Sequence, residues 1–253
     1  MSPLSIVITI IVIVLIIIII RYIIINPYTL QNIQNGQKLS TIPPTSLATN
    51  GSKTPSSNFA YSIWFYINDW NYRYGEAKVI FGRMGTTSGQ GSGQISGVSG
   101  MDPCPVVVLG ETENNIGISL ACYPGINQPP TTPGGKTVIK TCNVNNVPIQ
   151  KWVNLTLSVY GRTADIYIDG KLVRTCLLPG VASINPNANV YVTPSGGFNG
   201  WTSKFQYYPT PLNPQQAWNI YTQGYSSWLS IFSTYQIQLS LVENGDTKSS
   251  LTI

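Results

Sequence analysis

The stretch WVNLTLSVY at residues 152–160, continued after Gly161-Arg162 by TADIYIDGKLV at 163–173, decides the fold. Val153, Leu155, Leu157 and Val159 alternate with Trp152, Asn154, Thr156 and Ser158, the period of two that puts apolar side chains on one face of a strand. Ala164, Ile166 and Ile168 repeat the alternation. Asp169-Gly170 then offers the positive φ of a tight turn, and Leu172-Val173 begins a return strand.

The same signal spreads outward from this hairpin. Phe59, Tyr61, Ile63, Phe65 and Ile67 share one face of a strand, and Ala60, Ser62, Trp64 and Tyr66 the other, so a strand covered on both faces is predicted. Val79-Ile80-Phe81 predicts a second strand, stopped by Gly82. Val106–Leu109 and Ile116–Cys122 read as strands joined by the polar turn Glu111–Asn115. Thr137–Thr141, Val190–Val192 and Lys204–Tyr208 add short extended runs, the last two around a turn at Gly196-Gly197. One helix is predicted over Pro214–Tyr221, capped by Asn213 with proline at its first position and Gly224 just beyond its end. Tyr235–Val242 and Lys248–Ile253 flank Asn244-Gly245 as a terminal hairpin. The segments 85–100 and 123–135 are Gly/Ser- and Pro/Gly-rich loops. Many short strands between turn signals predict an all-β, antiparallel sandwich.

The chain begins differently. Leu4 to Ile20 is apolar except for Ser5 and Thr9, and Ile23–Ile25 come after Arg21-Tyr22. About 20 helical residues cross a bilayer core, so residues 1–25 are expected to be a single transmembrane anchor. A cleaved leader would need a basic start and a small-residue cleavage site, which Met1-Ser2-Pro3 and Asn26-Pro27-Tyr28 do not provide. Arg21, with little opposing charge, weakly favours the cytosolic face for the C-terminal part of the chain. Residues 26–57, punctuated by Pro27, Pro43-Pro44 and Pro55, read as a Pro/Ser/Asn-rich linker, 58–225 as the sandwich and 226–253 as a hairpin extension.

Composition removes several function classes. Histidine is absent, which excludes Ser-His-Asp and Cys-His nucleophiles and His-ligated metals. The net charge of +5 is scattered, without the dense basic stripe that nucleic acid requires, so no nucleic-acid partner is expected. Only 9% of residues are charged, against roughly 25% in an average domain. The four cysteines form no C-x-x-C pair. Cys122 and Cys142 end two strand-like runs across a loop, which favours a Cys122–Cys142 disulfide and leaves Cys104–Cys176; four buried thiols are the alternative.

The order of these pieces resembles laminin-G/concanavalin A-like domains over about residues 58–225. The segments that carry the likeness are Phe59–Ile67, Trp152–Leu157, Ala164–Val173, Gly197-Phe198-Asn199-Gly200, Leu212-Asn213-Pro214 and Tyr221–Gly224. The resemblance implies a jelly-roll sandwich of two curved antiparallel sheets. Glucanases of this fold carry closely spaced acids on one strand. The nearest match, Glu111-Thr112-Glu113, lies in a turn and lacks the middle aspartate, so no enzyme is expected and no catalytic residue is assigned. Structural calcium is a family habit, but Asp69, Asp102 and Asp165 are isolated, so no metal site and no cofactor is assigned.

Trp70, Tyr72, Tyr74 and Trp201 fall in or beside loops, and Trp228 and Phe232 precede the last hairpin. All six are candidates for glycan or partner contact. Asn50 and Asn154 head N-x-S/T sequons and are glycosylation candidates. An anchor leading into a low-charge lectin-like sandwich resembles membrane-anchored minor capsid proteins of large icosahedral DNA viruses with an internal membrane. The resemblance implies a virion structural protein, its partners the lipid bilayer and capsid or other membrane-associated proteins. A membrane-anchored carbohydrate-binding module is the alternative, and an atypical glycosidase ranks below it.

Overall fold

The computed structural model describes residues 10–15, 26–47, 56–84, 103–126, 129, 137–226, 238–243 and 246–252. The chain divides into two units, one spanning Ile25–Tyr225 and one made of Met1–Ile24 with Ser226–Ile253.

The larger unit is a β-sandwich. Its strands are β1 (Thr29–Gln31), β2 (Gln34–Asn35), β3 (Ser40–Ile42), β4 (Phe59–Asp69), β5 (Lys78–Met84), β6 (Val106–Leu109), β7 (Ile116–Cys122), β8 (Val138–Val144), β9 (Trp152–Tyr160), β10 (Thr163–Ile168), β11 (Lys171–Leu177), β12 (Asn189–Val192) and β13 (Asn199–Tyr208). One sheet runs β1-β13-β4-β9-β10-β11, with β2 also paired to β13, and the other runs β3-β12-β5-β6-β7-β8. Every pairing is antiparallel.

Alternation decides which side chains meet. Phe59, Tyr61, Ile63, Phe65 and Ile67 of β4 and Val153, Leu155, Leu157 and Val159 of β9 face Ile80, Val107, Ile118, Leu120, Val190 and Val192 of the second sheet, all within one buried cluster. The Phe205 ring lies 4.9 Å from Phe81 and 5.8 Å from Tyr61, which ties the two layers at their centre. Each such aromatic ring removed from water contributes about 2 kcal/mol.

The outer face of β4 is covered as well, by the helix Pro214–Thr222. Asn213 caps it, its Oδ1 accepting from Gln216 N at 2.8 Å while Asn213 N donates to Gln216 Oε1 at 2.9 Å. Ile220 and Leu212 pack on Ala60, and Tyr221 stacks on Trp64 at 5.6 Å. The helix comes so close to the Asp169-Gly170 turn that a Cβ on Gly170, already at φ +72°, would meet Trp218 and Tyr221 at 3.0 Å.

Beneath this cover lies a polar layer. Asn154 Nδ2 donates to Ser62 Oγ at 3.1 Å, and Thr156 Oγ1 donates to Asn154 Oδ1 at 3.1 Å. Asn154 is 0% exposed in mid-strand, so the sequon at Asn154 is not a glycan acceptor in the folded domain: its amide nitrogen is already engaged and a sugar has no room. Asn50 lies outside the described residues. Replacing Asn154 by leucine is expected to cost about 2–3 kcal/mol, because Ser62 and Thr156 then lose buried partners. Urea titration of the full chain checks this, and a change under about 0.5 kcal/mol counts against it.

Several boundaries differ from expectation. Residues 26–57 are not a linker throughout: β1 and β2 pair with β13, and β3 pairs with β12, so this segment supplies an edge strand to each sheet. Such short strands carry no sustained periodicity because only part of each is covered. β5 does not stop at Gly82 but continues to Met84, since the missing side chain leaves room for Val106 and Met84 beside it. β13 starts at Asn199, five residues earlier than Lys204.

The disulfide differs too. The structure joins Cys142 of β8 to Cys176 of β11, with Cα atoms 6.4 Å apart, rather than Cys122 to Cys142 or Cys104 to Cys176. β8 and β11 are the last strands of their sheets, and the bond links those two edges. Cys122 and Cys142 lie at opposite ends of the paired strands β7 and β8, because Ile118 rather than Cys122 stands opposite Cys142. Cys104 and Cys122 are buried outside that bond, and burial pushes the Cys122 thiol up to about 11.

In the smaller unit, β14 (Gln238–Glu243) and β15 (Asp246–Thr252) pair as the expected terminal hairpin. Residues 10–15 are helical and solvent-exposed. No helix among the described residues is long and apolar enough to cross a membrane, and most of the apolar run lies outside them.

Candidate functional site

The strands of the sandwich run between two ends. One holds the start of β4, the end of β9 and the end of β13; the other holds the end of β4 and the β6–β7 and β8–β9 connections. At the second end a cleft of about 670 Å³ is lined by Trp70, Thr112, Glu113, Asn114, Asn115, Asn145, Asn146 and Ile149.

Three connections build it. Trp70 comes directly after the last residue of β4, half-buried and packed against the main core. The buried Lys78 ammonium lies 5.3 Å from its ring centroid and donates to Arg73 O and Glu76 O at 3.1 and 3.2 Å. Burial lowers the Lys78 pKa, and the Arg73 guanidinium adds to the effect. The tight β6–β7 turn presents Thr112–Asn115, with Asn115 Nδ2 donating to Glu113 Oε2 at 3.3 Å. The β8–β9 connection presents Asn145, Asn146 and Ile149, and it is held to the first turn by Val147 N donating to Asn114 O at 2.8 Å and Asn114 Nδ2 donating to Val147 O at 3.2 Å. Asn146 adopts φ +58°, a conformation asparagine tolerates better than most residues.

The chemistry is that of a neutral amphipathic surface. One indole and one isoleucine supply apolar area. Four amides and a hydroxyl supply donors and acceptors, and Glu113 is the single carboxylate of the lining. Glycoside hydrolysis takes two carboxyl groups across the scissile bond, so this lining suits binding better than hydrolysis. Among the described residues no group of three or more His, Cys, Asp or Glu is placed to hold a metal ion.

Of the four aromatic candidates among the described residues, Trp70 alone lines the cleft. Tyr72 instead donates to Gly196 O at 3.1 Å and, with Arg73 donating to Ser195 O, ties its loop to the β12–β13 connection. Tyr74 is exposed outside the lining, and Trp201 is exposed on β13 opposite Tyr66 of β4. Trp228 and Phe232 lie outside the described residues. The polar lining, Thr112–Asn115 with Asn145 and Asn146, was missed by sequence reasoning. Its signal was a pair of asparagine doublets, Asn114-Asn115 and Asn145-Asn146, in two separate turns.

No protein-family model matches the chain, and no curated protein matches it. In fold it is similar to the receptor binding domain of botulinum neurotoxin D, at 13% identity and a TM-score of 0.50, covering 79% of this chain and 46% of that chain. It is also similar to the binding domain of botulinum neurotoxin serotype G, at 15% identity and a TM-score of 0.46, covering 75% of this chain and 46% of that chain. The chain thus spans about half the length of these domains, and at such identities the likeness concerns the fold alone. The protein is an all-β sandwich of two antiparallel sheets.

Proposed function

We propose that this protein is a membrane-anchored carbohydrate-binding module that takes a neutral glycan in the Trp70 cleft. The observation that carries the reading is the lining itself: an indole beside four amides and a hydroxyl, with one carboxylate. Sugars offer hydroxyls to amides and a C–H face to an aromatic ring, and this donor set answers both. The place of the cleft supports display. The chain enters the sandwich beside Tyr207, where Tyr207 N donates to Tyr28 O, and Tyr61 of β4 lies opposite Tyr207. Trp70 is nine residues further along the same strand direction, about 30 Å away at ~3.3 Å per residue. The chain therefore enters the sandwich at one end and opens its cleft at the other.

The test is a glycan array with subsequent calorimetry on the full chain in nanodiscs. Trp70→Ala is expected to weaken binding about tenfold to a hundredfold, or roughly 1.4–2.8 kcal/mol, with circular dichroism reporting whether the variant is folded. Unchanged affinity in that variant, or no bound glycan, overturns the reading.

A structural role in a virion is the second reading, and the open edge of β11 favours it. Among the described residues β11 has no ladder partner beyond β10, and its Leu172 and Val173 are exposed. Such an edge accepts a strand from a neighbouring capsid protein. Val173→Pro should abolish incorporation into particles while leaving glycan binding unchanged; normal incorporation sinks this reading.

A further inference from the structure

The end of the sandwich opposite the cleft has its own chemistry. Tyr28, Tyr123, Ile126, Tyr160, Leu177 and Val181 are all exposed there, Ile126 at 95% and Leu177 at 67%. Topology gathers them. Tyr28 enters beside the end of β13, Tyr123 and Ile126 lie just past the end of β7, Tyr160 ends β9 and Leu177 ends β11. Val181 O accepts from Tyr123 N at 3.0 Å, and Leu178 N donates to Arg162 O at 2.8 Å, so the connections at this end are bonded to one another.

Charge segregates along the same axis. Segments 26–30, 122–126, 160–163, 177–182 and 208–213 contain no carboxylate, and Arg162 is their one charged residue. Asp69, Glu76, Glu111, Glu113 and Asp169 all fall in or beside connections at the cleft end. Among the described residues of this end, exposed tyrosines and aliphatics with a cation and no acid form the pattern of a surface that meets lipid head groups; Asp102, in the β5–β6 connection of the same end, lies outside them.

Chain length names the occupant. β1 begins at Thr29, four residues after Ile25, where the apolar run ends. Four residues reach at most about 14 Å, so the tether is far shorter than the 26–57 stretch suggested. We infer that the end bearing Tyr160 and Leu177 rests on the bilayer interface, its aromatic and aliphatic side chains in the head-group region. The inference rests on the reading of residues 1–25 as a membrane span.

The experiment uses the full chain in phosphatidylcholine vesicles, with a single cysteine introduced by Tyr160→Cys, Leu177→Cys or, at the cleft end, Ile149→Cys, each carrying an environment-sensitive fluorophore. Ile149 is also exposed, so all three positions tolerate the label. The labels at 160 and 177 are expected to shift to shorter wavelength and to lose emission to a quencher carried on the lipid chains, while the label at 149 answers only to an aqueous quencher. Aqueous quenching at all three positions, with the chain still resisting carbonate extraction, overturns the docking and leaves the span standing. Release of the chain by carbonate overturns the span itself, and the docking with it. Glycan binding measured on the vesicles labelled at 160 or 177, away from the cleft lining, reports separately on the cleft.

Discussion

Gly200→Ala is expected to lower the stability of the sandwich by about 3–5 kcal/mol, above the usual range for overpacking. Gly200 sits where the β13–β4 register shifts, and its carbonyl accepts from Gly36 N at 2.8 Å. A Cβ placed there would lie 1.8 Å from Tyr66 O and 2.9 Å from Tyr66 C. Those are backbone atoms of β4, the strand that pairs β13 to β9 at the middle of its sheet. Overpacking against a flexible side chain costs about 1–3 kcal/mol, because the side chain turns aside. Here the relief requires β13 to separate from β4. In a domain of about 200 residues the loss corresponds to roughly 6–20 °C in melting temperature. Thermal unfolding monitored by circular dichroism decides the matter, and a fall of less than about 3 °C would show that the strands have slack the geometry denies.

Loss of the Cys142–Cys176 bond is the second large effect. The bond closes a loop with a sequence separation of 34, for which chain-entropy arguments give about 3–4 kcal/mol of stabilisation. It also joins the edges of two sheets that otherwise meet there through few contacts, among them Arg174 donating to Asn143 O at 2.8 Å. Cys176→Ala and reduction of the native chain should therefore produce similar falls of several degrees. Agreement between the two separates the missing cross-link from any cavity the alanine leaves. Peptide mapping of the unreduced protein should recover Cys142 linked to Cys176; recovery of Cys122 linked to Cys142 would refute the pairing. A bond of this kind persists in an oxidising compartment. Finding it in the native protein would put the sandwich on the non-cytosolic side of its membrane, against the weak preference that Arg21 alone expresses.

How far the chain could be read without its tertiary structure depended on where the information lay. β4, β6, β7 and β9 carry unbroken alternation or a continuous apolar run because both of their neighbours are strands and their faces are covered, so burial writes itself into the residue order. The capping box at Asn213 and Gln216 and the Asp169-Gly170 turn are local chemistry, legible within a few residues. β1, β2 and β3 are two or three residues long and borrow their stability from β13 and β12, so nothing in residues 26–57 distinguishes them from linker. The cysteine pairing failed for a related reason. Strand ends close in sequence suggested Cys122 and Cys142, but the bond depends on which strands end each sheet. The cleft lies at the same limit: Trp70 stood out by residue type, whereas Asn114-Asn115 and Asn145-Asn146 became one surface only because β7 pairs with β8. Periodicity, caps and turns are properties of neighbours along the chain, and these determined the sandwich, the helix and the apolar start. Edges, cross-links and the two chemically distinct ends arise between residues far apart in sequence, where strand order alone sets which groups meet.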